Sequence, residues 1–175
     1  MLLAFQQRLT QWDRQLYRRL SRWRTRPLFA LAMRLVSASG DGYWYAFIAL
    51  VATFSLGLPW SYFYTLALAF AIERPVYWIL KNSFRRDRPS GSWVTIDALL
   101  KAHDKFSFPS GHTCAAFLFA AISIFYFPAL NIVLWLWACG VGISRVAIGV
   151  HYPTDVIVGA CLGMALAELV LFIVI

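Results

Sequence analysis

The chain reads as an all-α membrane protein, a helical bundle of about five to six spans with an amphipathic helix in front. Three observations point there. The 175 residues are 61% hydrophobic and only 14% charged, against roughly 25% charged in an ordinary soluble domain. Several apolar runs approach or exceed the ~18–20 residues needed to cross a bilayer. The basic residues gather beside those runs. The net charge of +8 therefore favours anionic lipid as partner, as a surface or as a substrate, and argues against nucleic acid. Length and pattern give an N-terminal region, 1–40, and a membrane domain, 41–175.

Residues 1–26 hold seven arginines (Arg8, Arg14, Arg18, Arg19, Arg22, Arg24 and Arg26) and no clean apolar core or cleavage site, unlike a signal peptide. Leu2, Phe5, Leu9, Trp12, Leu16, Leu20 and Trp23 recur every three or four residues with arginines between them. That pattern predicts an amphipathic interfacial helix ending at Pro27. Leu28 to Val36, interrupted by Arg34, is short for a span and reads as a second interfacial or half-inserted helix. Ser37 to Gly42 reads as a turn.

The spans follow in order: about Tyr43 to Leu58, Trp60 to Leu80, His112 to Phe127, Leu130 to Ile148, and Pro153 to Ile175. A polar loop, Lys81 to Pro109, separates the second from the third. Cys114, Cys139 and Cys161 are widely spaced in apolar segments and read as ordinary core residues. Because successive helices alternate direction, three polar clusters fall on one membrane face. The turns on the opposite face carry no charge.

The first cluster, KNSFRRDRP, places Lys81 and Arg88 seven residues apart near a helix end. Lysine as a point charge and arginine as a two-pronged donor suit phosphate, although snorkelling cations at a membrane boundary look the same. The second, FPSGHT, puts Pro109 and a possible cap, Ser110, before a helix. Gly111 permits close backbone approach, and the helix N-terminus favours an anion beside His112. A plain helix cap with an incidental histidine is the alternative. The third, SRVAIGVHYPTD, holds Arg145, His151 and Asp155. His151 and Asp155 are four apart, one helical turn, so the carboxylate can hold one ring nitrogen and leave the other to attack. A structural His–Asp pair is the alternative there. Together the clusters bring two histidines, a carboxylate and three phosphate-suited cations to one face, where ionisable groups are costly and usually functional.

In type, order and spacing these residues resemble the three-part signature of the type 2 phosphatidic acid phosphatase superfamily, which includes membrane lipid phosphatases and soluble vanadium haloperoxidases. The resemblance covers about Lys81 to Asp155. It implies that Lys81, Arg88 and Arg145 hold phosphate oxygens, with hydrogen bonds added by Ser110 and the Gly111 N–H. It implies that His151 attacks phosphorus to give a phosphohistidine, that Asp155 orients His151, and that His112 protonates the leaving oxygen. It implies no metal and no cofactor. The substrate it implies is a lipid phosphate: phosphatidic acid, phosphatidylglycerol phosphate, undecaprenyl pyrophosphate or lipid A. The same phosphohistidine could serve a phosphotransferase that passes the group to a second lipid. A non-catalytic scaffold is disfavoured because no expected group is missing, and a haloperoxidase is disfavoured by the spans.

The resemblance also implies a bacterial inner membrane location with the site facing the periplasm. The basic N-terminus on the same face pulls toward a cytoplasmic orientation, a conflict that a sixth crossing by residues 27–40 would relieve. Inside the spans, Arg74 is expected to pair with Glu168 or another internal acceptor and tie two helices together. Arg85, Arg86, Lys101, His103 and Lys105 read as solvated loop charges, and Trp93 as a surface anchor.

Overall fold

Residues 2–55, 57–89 and 105–174 are described by a computed structural model. Lys101, His103 and Trp93 lie outside them. Seven α-helices carry the described chain: α1 Leu2–Ser21, α2 Pro27–Ala38, α3 Gly42–Ser55, α4 Trp60–Phe84, α5 Gly111–Tyr126, α6 Asn131–Ile148 and α7 Pro153–Val174. Three apolar stretches are long enough to cross a membrane: Trp60–Phe84, Pro128–Ile148 and Pro153–Val174. The other two expected spans, α3 and α5, are shorter apolar helices. The surface is inverted relative to a soluble protein. Phe47, Phe54, Trp78, Ile132, Leu136 and Phe172 stand exposed on helix sides, the pattern of a bundle whose solvent is lipid.

The closest helix pair explains how the clusters meet. Gly159 and Gly163, one turn apart on α7, press against the α5 backbone. A Cβ at Gly159 would come within 2.6 Å of the Ser110 carbonyl oxygen, and one at Gly163 within 2.3 Å of that of Cys114. Small residues at this spacing let two membrane helices touch backbone to backbone. The pairing aligns the N-terminal ends of α5 and α7, and the Ser110 N–H donates to the Asp155 carbonyl at 2.9 Å. Deeper in the bundle, hydroxyl pairs join α4 to α5: Tyr62 with Ser123 at 2.9 Å and Thr65 with Tyr126 at 3.0 Å. Tyr45 of α3 stacks on Phe119 and Phe70 in the same core.

The N-terminal region departs from its expected form in two ways. Pro27 does not end the first helix. α1 stops at Ser21, a 3₁₀ turn covers Arg22–Thr25, and Pro27 opens α2, where its missing N–H costs nothing. The turn before α3 is also tighter than expected, because Ser37 and Ala38 belong to α2. α1 itself has two working faces. Trp12 of the apolar stripe is exposed, as is Trp23 in the 3₁₀ turn that follows, whereas Asp13 and Tyr17, one turn apart on α1, are buried against the bundle. α2 lies against α6, with Trp137 donating to Ser39 and Arg145 to Ser37. Of the cysteines, only Cys114 is a core residue; Cys139 and Cys161 are exposed.

Candidate active site

Lys81 sits in the last turn of α4, which ends at Arg85 in the left-handed conformation (φ 45°). The chain then runs back antiparallel to the segment before α5. Asp87 bridges Phe106, and the Ser107 N–H donates to the Arg86 carbonyl at 2.7 Å. This pairing places the Ser107 carbonyl oxygen 2.7 Å from His151 Nδ1. A carbonyl only accepts, so Nδ1 carries the proton and Nε2 keeps its lone pair. His151 follows Gly149, which caps α6 at φ 98° and packs against the Arg24 guanidinium. A Cβ there would meet that guanidinium at 2.8 Å, so both backbone and space require glycine.

The expected His151–Asp155 contact is longer than a hydrogen bond, 3.7 Å from Nδ1 to Oδ2. The backbone carbonyl has taken the orienting position. Asp155, fully buried, instead accepts from the Tyr152 N–H at 2.8 Å and from Arg86 Nη1 at 2.7 Å. It acts on His151 through its charge and by fixing the turn that carries it. Burial pushes His151 down to about 4. The nearby Arg145 and Arg88 push the same way, while Asp155 opposes them. The imidazole is therefore held neutral at neutral pH.

Arg86 is no solvated loop charge. Its guanidinium spans Asp155, Thr154 (2.7 Å) and Asp13 (2.6 Å), and lies 4.1 Å from the Tyr152 ring centroid. Asp13, buried on α1, also accepts from the Thr154 N–H at 3.0 Å and hydroxyl at 2.5 Å. The N-terminal helix is thus joined to the turn bearing His151 through one carboxylate. A signal for this existed: Asp13 is the sole acid in the arginine-rich residues 1–40. Its partners, 73 and 141 residues away, could not be read from local spacing.

The remaining expected residues converge from three sides. Arg88 donates to the Val150 carbonyl at 2.6 Å, and Arg145 to Ser37 at 2.5 Å; these contacts orient both guanidinium groups beside His151. Ser110 occupies the N-cap position of α5, but its hydroxyl pairs with Thr113 at 2.9 Å and makes no cap to the helix N–H groups. Gly111 lies under the Tyr77 ring, where a Cβ would come within 2.9 Å of ring carbons. Tyr77 in turn accepts a hydrogen bond from Lys81, so the glycine connects the first cluster to the second.

His112 is on the open side. Its Nε2 lies 2.8 Å from Asp41 Oδ1, in the turn before α3, and Tyr43 donates to the other Asp41 oxygen at 3.2 Å. Asp41 was not singled out by sequence reasoning, because a turn aspartate has an ordinary explanation. His112, Asp41, Arg74, Tyr77, Gly111 and Phe70 are among the residues lining a cavity of about 410 Å³. Arg74 corrects an expectation: it pairs with its chain neighbour Glu73, through Nε and through Nη2 at 2.6 Å, and so does not tie α4 to Glu168. Glu168 is exposed on α7. Adjacent residues can pair here because Glu73 is fully buried while the arginine reaches outward.

Known proteins resemble this chain in sequence and fold. The chain is 35% identical over 100 residues to the bacitracin transport permease protein BcrC of Bacillus licheniformis, covering 55% of this chain and 48% of that one. It is 38% identical over 114 residues to phosphatidylglycerophosphatase B of Bacillus subtilis, covering 59% and 53%. The chain thus spans about half the length of these curated relatives. The crystal structure of Aquifex aeolicus LpxE superposes with a TM-score of 0.78 at 28% identity, covering 90% of this chain and 93% of that one. The family model of the PAP2 superfamily matches residues 58–174, from the α4 boundary through all three polar clusters to the end of α7, and on that match the chain belongs to the PAP2 superfamily.

Proposed function

We propose that this protein is a lipid phosphatase that removes a terminal phosphoryl group through a phosphohistidine on His151. The observation that supports this most directly is the His151 hydrogen bond. Donation from Nδ1 to the Ser107 carbonyl leaves a neutral ring with its Nε2 lone pair available. Lys81, Arg88 and Arg145 supply positive charge for the equatorial oxygens of the transition state, and Ser110 and the Gly111 N–H add donors.

In the first step His151 Nε2 forms a bond to phosphorus as the bond to the leaving oxygen breaks. His112 gives that oxygen its proton. In the second step water attacks the phosphohistidine. His112 takes the water proton, the N–P bond breaks, and inorganic phosphate leaves with His151 restored. Three cations do the charge neutralisation that a metal would otherwise supply, so turnover is expected to be metal-independent. The site is placed on the periplasmic face of a bacterial inner membrane, a reading supported by the family resemblance and opposed by the arginines of α1.

The test is phosphate release in detergent from a panel of lipid phosphates and pyrophosphates, by wild type and His151→Ala, with a chelator present. Release by wild type alone supports the mechanism. Release only after a second lipid is added as acceptor would make the protein a phosphotransferase. Equal release by both proteins would remove His151 from the reaction.

A further inference from the structure

Arg74 has no part in the phosphatase chemistry above, yet it stands beside it. Arg74, Tyr77 and Lys81 are spaced three and four apart on α4, so they share one helix face. The Arg74 guanidinium carbon lies 5.2 Å from the Tyr77 ring centroid, and Lys81 Nζ lies 4.7 Å from the same ring. Arg74 is seven residues before Lys81, about 10 Å farther from the helix end at 1.5 Å per residue.

A charged residue at that depth is costly unless it is paired or functional. The pairing alone does not explain this one. Its carboxylate partner, Glu73, is completely buried, while the Arg74 side chain is 56% exposed and lines the same cavity as His112. Glu73 engages Nε and Nη2, which aligns the guanidinium and uses only part of its five donors. The acid that lines the cavity, Asp41, has both oxygens occupied by His112 and Tyr43.

We infer that Arg74 receives a second phosphate of the substrate, one that lies deeper in the membrane than the phosphoryl group removed. The inference rests on the phosphatase reading. If the terminal phosphoryl sits among Lys81, Arg88 and Arg145, and His112 protonates the leaving oxygen, whatever is attached to that oxygen enters the cavity His112 lines. The cation waiting there is Arg74. The substrate class it fits is a lipid with two phosphates in series: a pyrophosphate, or a phosphomonoester joined to a phosphodiester. A lipid with a single phosphate would place uncharged atoms against the guanidinium.

Two measurements on the full chain in detergent test this separately from hydrolysis itself. Binding of an unreactive lipid methylenebisphosphonate is compared with that of the lipid monophosphonate bearing the same tail, for wild type, Arg74→Gln and Arg74→Lys. Phosphate release from the matching pyrophosphate and monophosphate lipids is measured in parallel. Wild type is expected to bind the bisphosphonate at least about tenfold more tightly. Arg74→Gln should lose most of that preference with little change for the monophosphonate, and Arg74→Lys should retain part of it. Equal affinities in wild type, or an equal loss for both ligands in Arg74→Gln, would overturn the inference. Should Arg74→Gln fail to fold, the wild-type ratio and Arg74→Lys decide: a reduced preference in Arg74→Lys with an intact fold assigns the site to the guanidinium, whereas an unchanged preference in Arg74→Lys, or a wild-type ratio near one, overturns it. An Arg74-dependent preference in binding without any phosphate release would leave this inference standing and sink the phosphatase reading instead.

Discussion

The two histidines of the site live in different surroundings. His151 is buried, held at Nδ1 by a backbone carbonyl, and wrapped by a satisfied network that runs from Asp155 through Arg86 to Asp13 on α1. His112 is part-exposed, held by a turn carboxylate, and lines an open cavity. The contrast fits the two tasks that the proposed mechanism assigns to them. A nucleophile gains from a fixed tautomer and a dry, rigid frame. A proton donor to the leaving group has to face the space through which that group departs. On the proposed mechanism, the closed half is ready without substrate and the open half receives it.

Substitutions should break this contrast in a graded way. His151→Ala removes the attacking atom and should lower phosphate release by about 10⁴-fold or more, as loss of a nucleophile does elsewhere. Residual activity within tenfold of wild type would mean that the buried half is structural. Asp155→Asn should cost less, about 10²-fold in kcat, because the Ser107 carbonyl keeps the tautomer that a triad carboxylate would otherwise set; a loss equal to that of His151→Ala would show that the carboxylate is the true orienter. Asp13→Ala, far from any substrate, leaves Arg86 with one buried partner fewer. It should destabilise the protein by about 3 kcal/mol, read as a lower Tm in detergent, and reduce kcat more than it raises KM.

On the open side, Asp41→Asn should lower kcat only about tenfold, since an amide oxygen can still accept from the ring while the negative charge is lost. The smallest effect concerns pH. With His151 held near 4, the free-enzyme nucleophile stays unprotonated from pH 7 down to about 5, and its protonation quenches the reaction only as pH falls toward 4. The acid limb of the kcat/KM profile should therefore lie near pH 4, with none centred near 6.5. A limb at 6.5 that shifts in Asp155→Asn would indicate a nucleophile far more hydrated than the buried frame implies.

Much of this was legible in the chain. The apolar runs, the five main helices and the three clusters follow from local pattern, because a lipid solvent leaves helices as the way to satisfy every backbone group. Arg88, Arg145 and Asp155 lie around His151, and the Ser110 N–H meets the Asp155 carbonyl; that the expected residues work as one site is the proposal made above. The connections that make them a site were not legible. The partner of His151 is a backbone carbonyl, and a sequence carries no mark for which carbonyl will point where. Arg86 looked like one of several loop cations until Asp13 arrived from the other end of the chain.

Gly159 and Gly163 show the same division from the packing side. Their spacing is visible in the sequence, but only the helix pair shows that they bring α7 onto the α5 backbone and so line up Ser110 with Asp155. The sequence by itself determined the environment, the helices and the chemical types, since those depend on hydropathy and spacing over a few turns. The tertiary structure alone decided which atom orients His151, where Asp13 binds, and that Arg74 opens into the cavity beside His112. Those depend on contacts between residues tens to more than a hundred positions apart, which no local pattern encodes.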